Sequence, residues 1–541
     1  MKDISSTGSF VDFTLENFIY VDKTVYIPQL VKLKRVFISR PRRFGKSLTL
    51  DTIATLFETG VEPYFKGTWI YDKWTEPTYP VLRLNFLNFD KNTLEKFNNK
   101  LNSKITEFAE LNQVTTYKEK DEAEDSIDHL LEQLRLEGRQ IVILIDEYDC
   151  QMTANINNET LYKQFQEKIK SFYANIKDKF AIKFLGITGV TRLKDVSIFS
   201  VGSDINDITN ASAYSQMIGF TRDEIKKYYI DYLKLASSYE NNCSVDDVTD
   251  TQLESMLDMM AQNYDGYCFD EDYEKKVFST WSVNKFFQTM IEKKKVQFGE
   301  YWYDNGGLPS ILVNYLKTHE LNIFEYLDKD KFLKVSSDDF KNPTALTTIN
   351  QNVLMCQTGY LTLRSDLNKT STVALGIPNG EIYKALNRLL ANNIFKGNTD
   401  ITDDYGRSLL EVGTVDDIIN LFNSALNSVS YDNYPIVSES SVQNMLKLYL
   451  LGAHQKVLSE VHEAKGRADL VVNTDNRRIV FEFKYAKNEA EAKSKLSEAV
   501  EQIKTRDYGN ILPKKNELIR IAAVFNADPK VRAFTENQIV P

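Results

Sequence analysis

Cysteine is scarce. The 541-residue chain has four: Cys150, Cys243, Cys268 and Cys356, scattered with no C-x-x-C pair. That excludes a disulfide framework and a thiolate zinc knuckle, and reduced thiols in an intracellular compartment are expected. Histidine is equally scarce, and His129, His319, His454 and His462 show no zinc-ligand spacing, so no structural zinc is expected. No apolar run approaches the roughly 20 residues that span a bilayer. The opening residues, Met1-Lys-Asp-Ile-Ser-Ser-Thr7, lack the apolar core of a secretion signal. A cytoplasmic protein with no membrane partner is the expectation. Internal repeats and low-complexity linkers are absent too. Positive charge is in deficit: 66 Lys+Arg against 76 Asp+Glu gives −10. This excludes a surface coated in cations for nucleic acid, though not a local basic site.

What is present is ordinary globular composition, 42% hydrophobic and 26% charged, with many Tyr and Phe. The chain is too long for one core and calls for two to four domains. Charge is uneven. Residues 431–541 hold 17 Lys+Arg and 15 Asp+Glu, a net of +2, which leaves −12 for the remainder.

The stretch Val36-Phe-Ile-Ser-Arg-Pro-Arg-Arg-Phe-Gly-Lys-Ser-Leu-Thr-Leu50 organises the first half. An apolar run enters a basic loop, the loop ends in Gly45-Lys46-Ser47, and helical periodicity follows. This is the order of a phosphate-binding loop, whose backbone N–H groups and helix N-terminus hold phosphate oxygens. Lys46 would reach the β- and γ-phosphates and the Ser47 hydroxyl would ligate Mg²⁺. Arg43, Phe44, Gly45 and Leu48 complete the expected nucleotide contacts. Arg40 stands where the usual pattern has its first glycine, and is expected to add positive charge near the phosphates.

Gln140-Ile-Val-Ile-Leu-Ile-Asp-Glu-Tyr-Asp149 reads as a strand buried on both faces of a parallel sheet, with an acidic pair at its C-terminal end. Ligands of such sheets bind at that edge. Asp146 would hold the Mg²⁺ shell and Glu147 would polarise the attacking water. Val81–Leu87 and Phe180–Thr188 read as further strands, and 92–137 and 158–178 as helical. The acidic cluster 119–125 reads as a solvated turn or helix face. Thr188, ending its strand, would sit beside the γ-phosphate as a sensor, and Arg192 would contact phosphate in cis or in a neighbouring subunit. Thr221 and Glu224 form a capping box, opening a helical region over 221–335. Within 336–430, Thr358–Leu363 and Val373–Ile377 can pair as a hairpin, and a helix starts at Glu381.

The last hundred residues change character. A helix over 442–451 precedes strands at 457–462, 466–472 and 477–484, and a long helix over 488–504 follows. Period-two alternation puts Glu482 and Lys484 on one strand face and Phe483 on the other. Asp469, on the preceding strand, can reach the same point. Two converging carboxylates suit Mg²⁺. An adjacent lysine can orient a water and stabilise charge in a phosphorane-like transition state. Glu460 would supply a third carboxylate, with Glu439 and Glu463 as alternatives, and Gln502 could face the site.

Residues 18–310 resemble the AAA-ATPase-like family through Tyr20-Val-Asp-Lys-Thr24, Arg40-Pro-Arg-Arg-Phe-Gly-Lys-Ser47, Leu144-Ile-Asp-Glu-Tyr-Asp149, Thr188-Gly-Val190, Gly219-Phe-Thr221 and Tyr264-Asp-Gly-Tyr267. Arg40 is then a family variant, and Cys150 stands where that family has proline. Residues 431–541 resemble the PD-(D/E)xK nuclease domain through Glu460, Gly466-Arg-Ala-Asp469, Glu482-Phe-Lys484 and Gln502. The resemblance implies an α/β chain: a P-loop NTPase parallel sheet over 1–220, a helical lid over 221–335, a mixed connector over 336–430 and a small restriction-endonuclease-like domain over 431–541. It implies ATP and Mg²⁺ as cofactors and nucleic acid as partner, DNA ahead of RNA, with a homo-oligomer formed through the ATPase region. ATP hydrolysis coupled to phosphodiester cleavage is the expected function. The alternatives are a nucleotide-dependent switch that binds nucleic acid without cutting it, and a P-loop phosphotransferase.

Overall fold

A computed structural model describes residues 1–176, 179–192, 205–302, 310–316, 319, 323–343, 345–395, 405–453, 456–463, 466–509 and 517–541. Residues 310, 405, 407, 456, 459–463 and 466 are described by their backbone alone. Among the described residues no helix is long and apolar enough to cross a membrane.

The apolar runs read from the sequence form a parallel sheet. Its strands are β1 (Arg35–Ser39), β2 (Val81–Asn85), β3 (Ile141–Asp146), β4 (Ile182–Gly189) and β5 (Asn206–Asp207), ordered β2-β3-β4-β1-β5. All of β1 and β3 is buried, as a sheet covered on both faces requires. The order inserts β4 between β1 and β3. The loop after β1 and the acidic end of β3 therefore flank the end of β4 at one sheet edge.

Helices Lys46–Thr59, Leu94–Leu111, Ala123–Leu136 and Glu159–Ile176 accompany the sheet. The expected helical stretch 92–137 is two helices. The acidic cluster between them is not simply solvated: Glu122 and Glu124 both pair with the buried Lys168. A buried ammonium needs such partners.

The region after 220 is helical, with Arg222–Tyr228, Ile230–Asn241, Asp250–Tyr264 and Thr280–Lys293. These pack around Tyr229, Leu233, Met256, Met260, Phe286 and Phe287, and Ile19 and Val21 join the same cluster. The Thr221–Glu224 capping box is present. Strands β6 (Leu333–Ser336), β7 (Thr362–Leu363) and β8 (Thr372–Gly376) form an antiparallel sheet ordered β6-β8-β7. The hairpin read from the sequence is β7–β8, and β6 is an addition to it.

The chain divides into two compact units, one of residues 1–319 and 332–382, the other of 320–331 and 383–541. The stretch 336–430 is thus shared between them. The second unit holds β9 (Lys456–Glu463), β10 (Gly466–Asn473), β11 (Arg477–Ala486), β12 (Glu517–Asn526) and β13 (Ala533–Ile539), ordered β13-β12-β11-β10-β9. Only β11 and β12 pair in parallel, and the helix Glu489–Arg506 connects them. That helix covers one sheet face with Ala499 and Ile503 against Val471, Val480 and Ala522. On the other face Phe481 and Phe483 stack at 5.6 Å, and Phe422, from the helix Val415–Asn427, lies 5.4 Å from Phe481.

Candidate functional site

The loop after β1 is shaped by backbone geometry. Arg43 and Gly45 have φ of 67° and 103°, a left-handed conformation that glycine adopts without cost. A Cβ on Gly45 would meet nothing within 4 Å, so its conformation, not space, favours glycine there. Gly45 then caps the helix that begins at Lys46. Lys46 is buried, and its ammonium donates to the carbonyls of Arg40 at 3.0 Å and Pro41 at 3.2 Å. Its Nζ also lies 3.5 Å from Glu147 Oε1.

Asp146 is the hub. Ser47 Oγ donates to its Oδ2 at 2.6 Å, Thr188 Oγ1 donates to Oδ1, and the Glu147 N–H reaches Oδ1 at 3.0 Å. Lys46, Ser47, Asp146, Glu147 and Thr188 are therefore brought together. Glu147 sits at φ 53°. Burial raises its pKa, with the charge of Lys46 opposing the shift and Asp149 and Asp146 adding to it. Asp149, to which the sequence reading gave no role, accepts from Val190 N at 3.3 Å, from Thr191 N at 2.7 Å and from the Thr191 hydroxyl. It fastens the segment after β4 to the end of β3.

Beside the loop lies a cleft of about 950 Å³, open to solvent, lined by Gly45, Leu48, Tyr20, Val21, Ile218 and Trp281 among others. Arg43 also lines it, its guanidinium 3.9 Å from the Trp281 ring centre. The Phe44 ring is buried edge-on against Tyr267 at 4.7 Å, an anchor for the loop. Tyr20 and Trp281 had no assigned part in the sequence reading. Tyr20 lies in a noted motif, whereas nothing near Trp281 marked it.

One expectation changes. Arg40 does not bring its charge to the loop. Its N–H donates to Gly189 O at 3.1 Å, which ties the first residue after β1 to the end of β4. Its guanidinium donates to the carbonyls of Ser39 at 2.9 Å and Thr209 at 2.6 Å, and stacks 4.2 Å from Phe269. Burial lowers its pKa to about 9. Arg192 pairs with Asp207 on β5, and its backbone N–H donates to Gln357 Oε1 at 3.3 Å.

The second unit builds its own cluster. Antiparallel register sets Leu470 opposite Phe481 and Val471 opposite Val480, which brings Asp469 beside Glu482. Asp469 Oδ2 accepts from the Phe483 N–H at 2.8 Å, and its carbonyl accepts from the buried Gln443. Glu482 is 1% exposed. Its Oε1 accepts from Lys484 Nζ at 3.0 Å, while its Oε2 is buried without a partner. Burial first, then Asp469, raises the Glu482 pKa to about 7 against the opposing charges of Lys484 and Arg506. For Lys484, burial disfavours the charge, yet Glu482, Glu439 and Asp469 outweigh it and hold the pKa above its ordinary value. Glu439 Oε2 lies 3.6 Å from Lys484 Nζ.

Glu460 and Glu463 lie on β9, and their side chains are outside the described residues. Gln502 donates to Tyr508 Oη at 3.3 Å, and Arg506 donates to the same oxygen at 2.8 Å. Gln443, Arg506 and Tyr508 were not picked out from the sequence. Arg506 lies four residues after Gln502, one helical turn along, which is the signal that could have found it. Among the described residues no group of three His, Cys, Asp or Glu is arranged to hold a metal. The unpartnered Glu482 Oε2 beside Asp469 is nevertheless a buried anionic oxygen that a cation would satisfy, so these residues fit a divalent ion. Ser47 and Asp146 fit one as well, through the two oxygens now sharing a proton.

Comparisons with known proteins agree with this division. The family described as "Predicted AAA-ATPase" matches residues 5–199, and the PD-(D/E)XK nuclease superfamily matches residues 437–535. A protein of Azotobacter chroococcum mcd 1 described as "Uncharacterized protein in vnfD 5'region" is 26% identical over 535 residues, covering 95% of this chain and 94% of that one. Among solved structures, Cdc6p from Pyrobaculum aerophilum covers 68% of this chain and 91% of its own at 11% identity and a TM-score of 0.22. The ORC2 protein of Aeropyrum pernix covers the same shares at 10% identity and a TM-score of 0.27. At those scores neither structure carries an argument. Residues 5–199 are thus similar to the predicted AAA-ATPase family and residues 437–535 to the PD-(D/E)XK nuclease superfamily, one match in each unit.

Proposed function

We propose that the first unit binds and hydrolyses ATP and that the second cleaves phosphodiester bonds in nucleic acid, DNA in preference to RNA. In the first unit the loop N–H groups at 43–47 hold the phosphates, and the cleft by Leu48 and Trp281 takes the base. Lys46 has three protons, two of them directed at the Arg40 and Pro41 carbonyls. An arriving γ-phosphate competes with Glu147 for the third. Glu147, released, accepts a proton from the water that attacks phosphorus as ADP leaves. Thr188 fixes the Asp146 carboxylate. Ser47 and Asp146 would hold Mg²⁺, which would supply charge neutralisation for the phosphates.

In the second unit Asp469 and Glu482 would hold a divalent cation, which supplies a polarised water and charge stabilisation. Lys484 orients that water and stabilises the extra negative charge on the phosphate. Gln443 and the Phe483 N–H hold Asp469 in place. The observation that carries the reading is the buried, unpartnered Glu482 Oε2 beside Asp469. A second reading, binding without cleavage, draws on the two carboxylates described there where three would make a fuller site.

The test is cleavage of labelled DNA and RNA with and without ATP and Mg²⁺. Wild type is expected to cut in a Mg²⁺-dependent way, with Glu482→Ala and Lys484→Ala each slower by on the order of 10²-fold. Lys46→Ala is expected to lose ATP binding while still cutting whatever does not need ATP. Cleavage that persists in both Glu482→Ala and Lys484→Ala overturns the nuclease reading. Binding without any cleavage by wild type supports the second reading.

A further inference from the structure

We propose that the groove at the sheet edge opposite the nucleotide loop binds single-stranded nucleic acid. This adds a surface on the first unit to the site proposed on the second. The groove encloses about 1570 Å³, open to solvent, and runs across the start of β1 at Arg35, the approach to β3 at Gln140 and the start of β4 at Ile182. Six cations line it, Lys32, Lys34, Arg35, Lys73, Lys179 and Lys183, against one carboxylate, Glu76. The whole chain has the reverse balance, 66 Lys+Arg to 76 Asp+Glu, so this lining is a local inversion of charge.

Not all of that charge is available. Lys183 pairs with Glu76 at 2.6 Å, Lys179 with Asp128 at 2.5 Å and Lys73 with Asp72 at 2.6 Å. Lys32 and Lys34 are exposed and have no carboxylate partner among the described residues. Lys32 lies in the last turn of the helix Ile27–Leu33, where the helix dipole accounts for one cation but not for six.

The aromatic residues decide which polyanion fits. Phe180, between Lys179 and Lys183 in the lining, is 68% exposed, so its ring is accessible to a ligand in the groove. Trp74 lines the same groove, and its Nε1 is buried without a hydrogen-bond acceptor. Cations that follow a phosphate backbone, interleaved with rings on which bases stack, make a platform for single strands. A duplex hides its base faces and would leave Phe180 uncovered.

The test uses the full chain in EDTA, so that no strand is cut. Binding of a labelled deoxythymidine oligomer is followed by anisotropy across a salt series. Lys32→Glu/Lys34→Glu is expected to weaken binding about tenfold or more, and to lower the slope of log affinity against log salt by about 1.4, two single-strand phosphate contacts. Lys32→Gln/Lys34→Gln should lower the slope similarly, and both variants should keep wild-type ATP binding. In wild type, an iododeoxyuridine oligomer should crosslink to the peptide holding Trp74 or Phe180. Wild-type affinity and slope in both double variants overturn the proposal. So do crosslinks confined to residues 437–541, a preference for duplex, or no binding by wild type. The crosslink map needs no variant, and it separates failure of this groove from failure of the nuclease site.

Discussion

Glu482 faces two opposed demands, burial that favours its acid form and a cation site that needs its anion. Its pKa of about 7 in the folded protein exceeds the ordinary value of a free glutamate. A carboxyl raised in this way stabilises the metal-free fold at low pH, and that contribution is lost as pH rises through about 7. The added stability from Mg²⁺ should therefore grow between pH 6 and pH 8, because above pH 7 the cation meets a charge already formed. Thermal melts with and without Mg²⁺ should show this in wild type, and Glu482→Gln should flatten it. A Mg²⁺ shift independent of pH would contradict the assignment. The E-x-K spacing put Glu482 and Lys484 on one strand face, and the order of the surrounding elements, with Asp469 on the preceding strand, singled them out. The fate of Arg40 was not legible. A motif read as text places residue 40 in the loop after β1, but it does not show that the N–H is tied to Gly189 or that the side chain is buried against Phe269.

Elements explain why the candidate site residues fall where they do. β11 alternates Phe481, Glu482, Phe483 and Lys484, so one pleat serves the aromatic core and the other serves the carboxylate cluster. Phe483→Ala should cost about 3–5 kcal/mol, lowering the melting of the second unit while nucleotide binding by the first is unchanged. Calorimetry alongside ATP titration checks both halves of that statement. At the other sheet, Asp149 ties down Val190 and Thr191, the continuation of the strand that carries Thr188. Asp149→Ala strands buried donors, each costing about 1–3 kcal/mol. Its ATP turnover should fall further than its ATP affinity, since Thr188 acts on the carboxylate hub and not on the base. Equal losses in the two would make Asp149 a purely structural residue. Strands β1, β3, β4 and β9–β11 were readable from apolar runs. β5 and β7 are two residues each, too short to show a period. β12 carries an apolar run over Leu518–Phe525 but no motif residue.

At the scale of the molecule the two proposed chemistries fall in separate units, and no sheet is shared between them. A ligand that binds only one folded unit stabilises that unit, by about 2.7 kcal/mol at a hundredfold excess over its dissociation constant. A non-hydrolysed ATP analogue should therefore raise one thermal transition in wild type and none in Lys46→Ala. Domain content was legible because each unit carries a local motif. The boundary was not, since contacts and not composition draw it: residues 320–331 return to the second unit ahead of 332–382, which belong to the first. Tyr383 Oη donates to Leu327 O at 2.9 Å, a bond within the second unit between its two stretches of chain. The history of the gene inherits this arrangement. Units strung end to end can be gained or lost by one recombination, but here any single breakpoint leaves part of one unit attached to the other. A frameshift after residue 382 would leave 320–331 without the segment they pack with, so such truncations should be selected against more strongly than the loss of an appended domain.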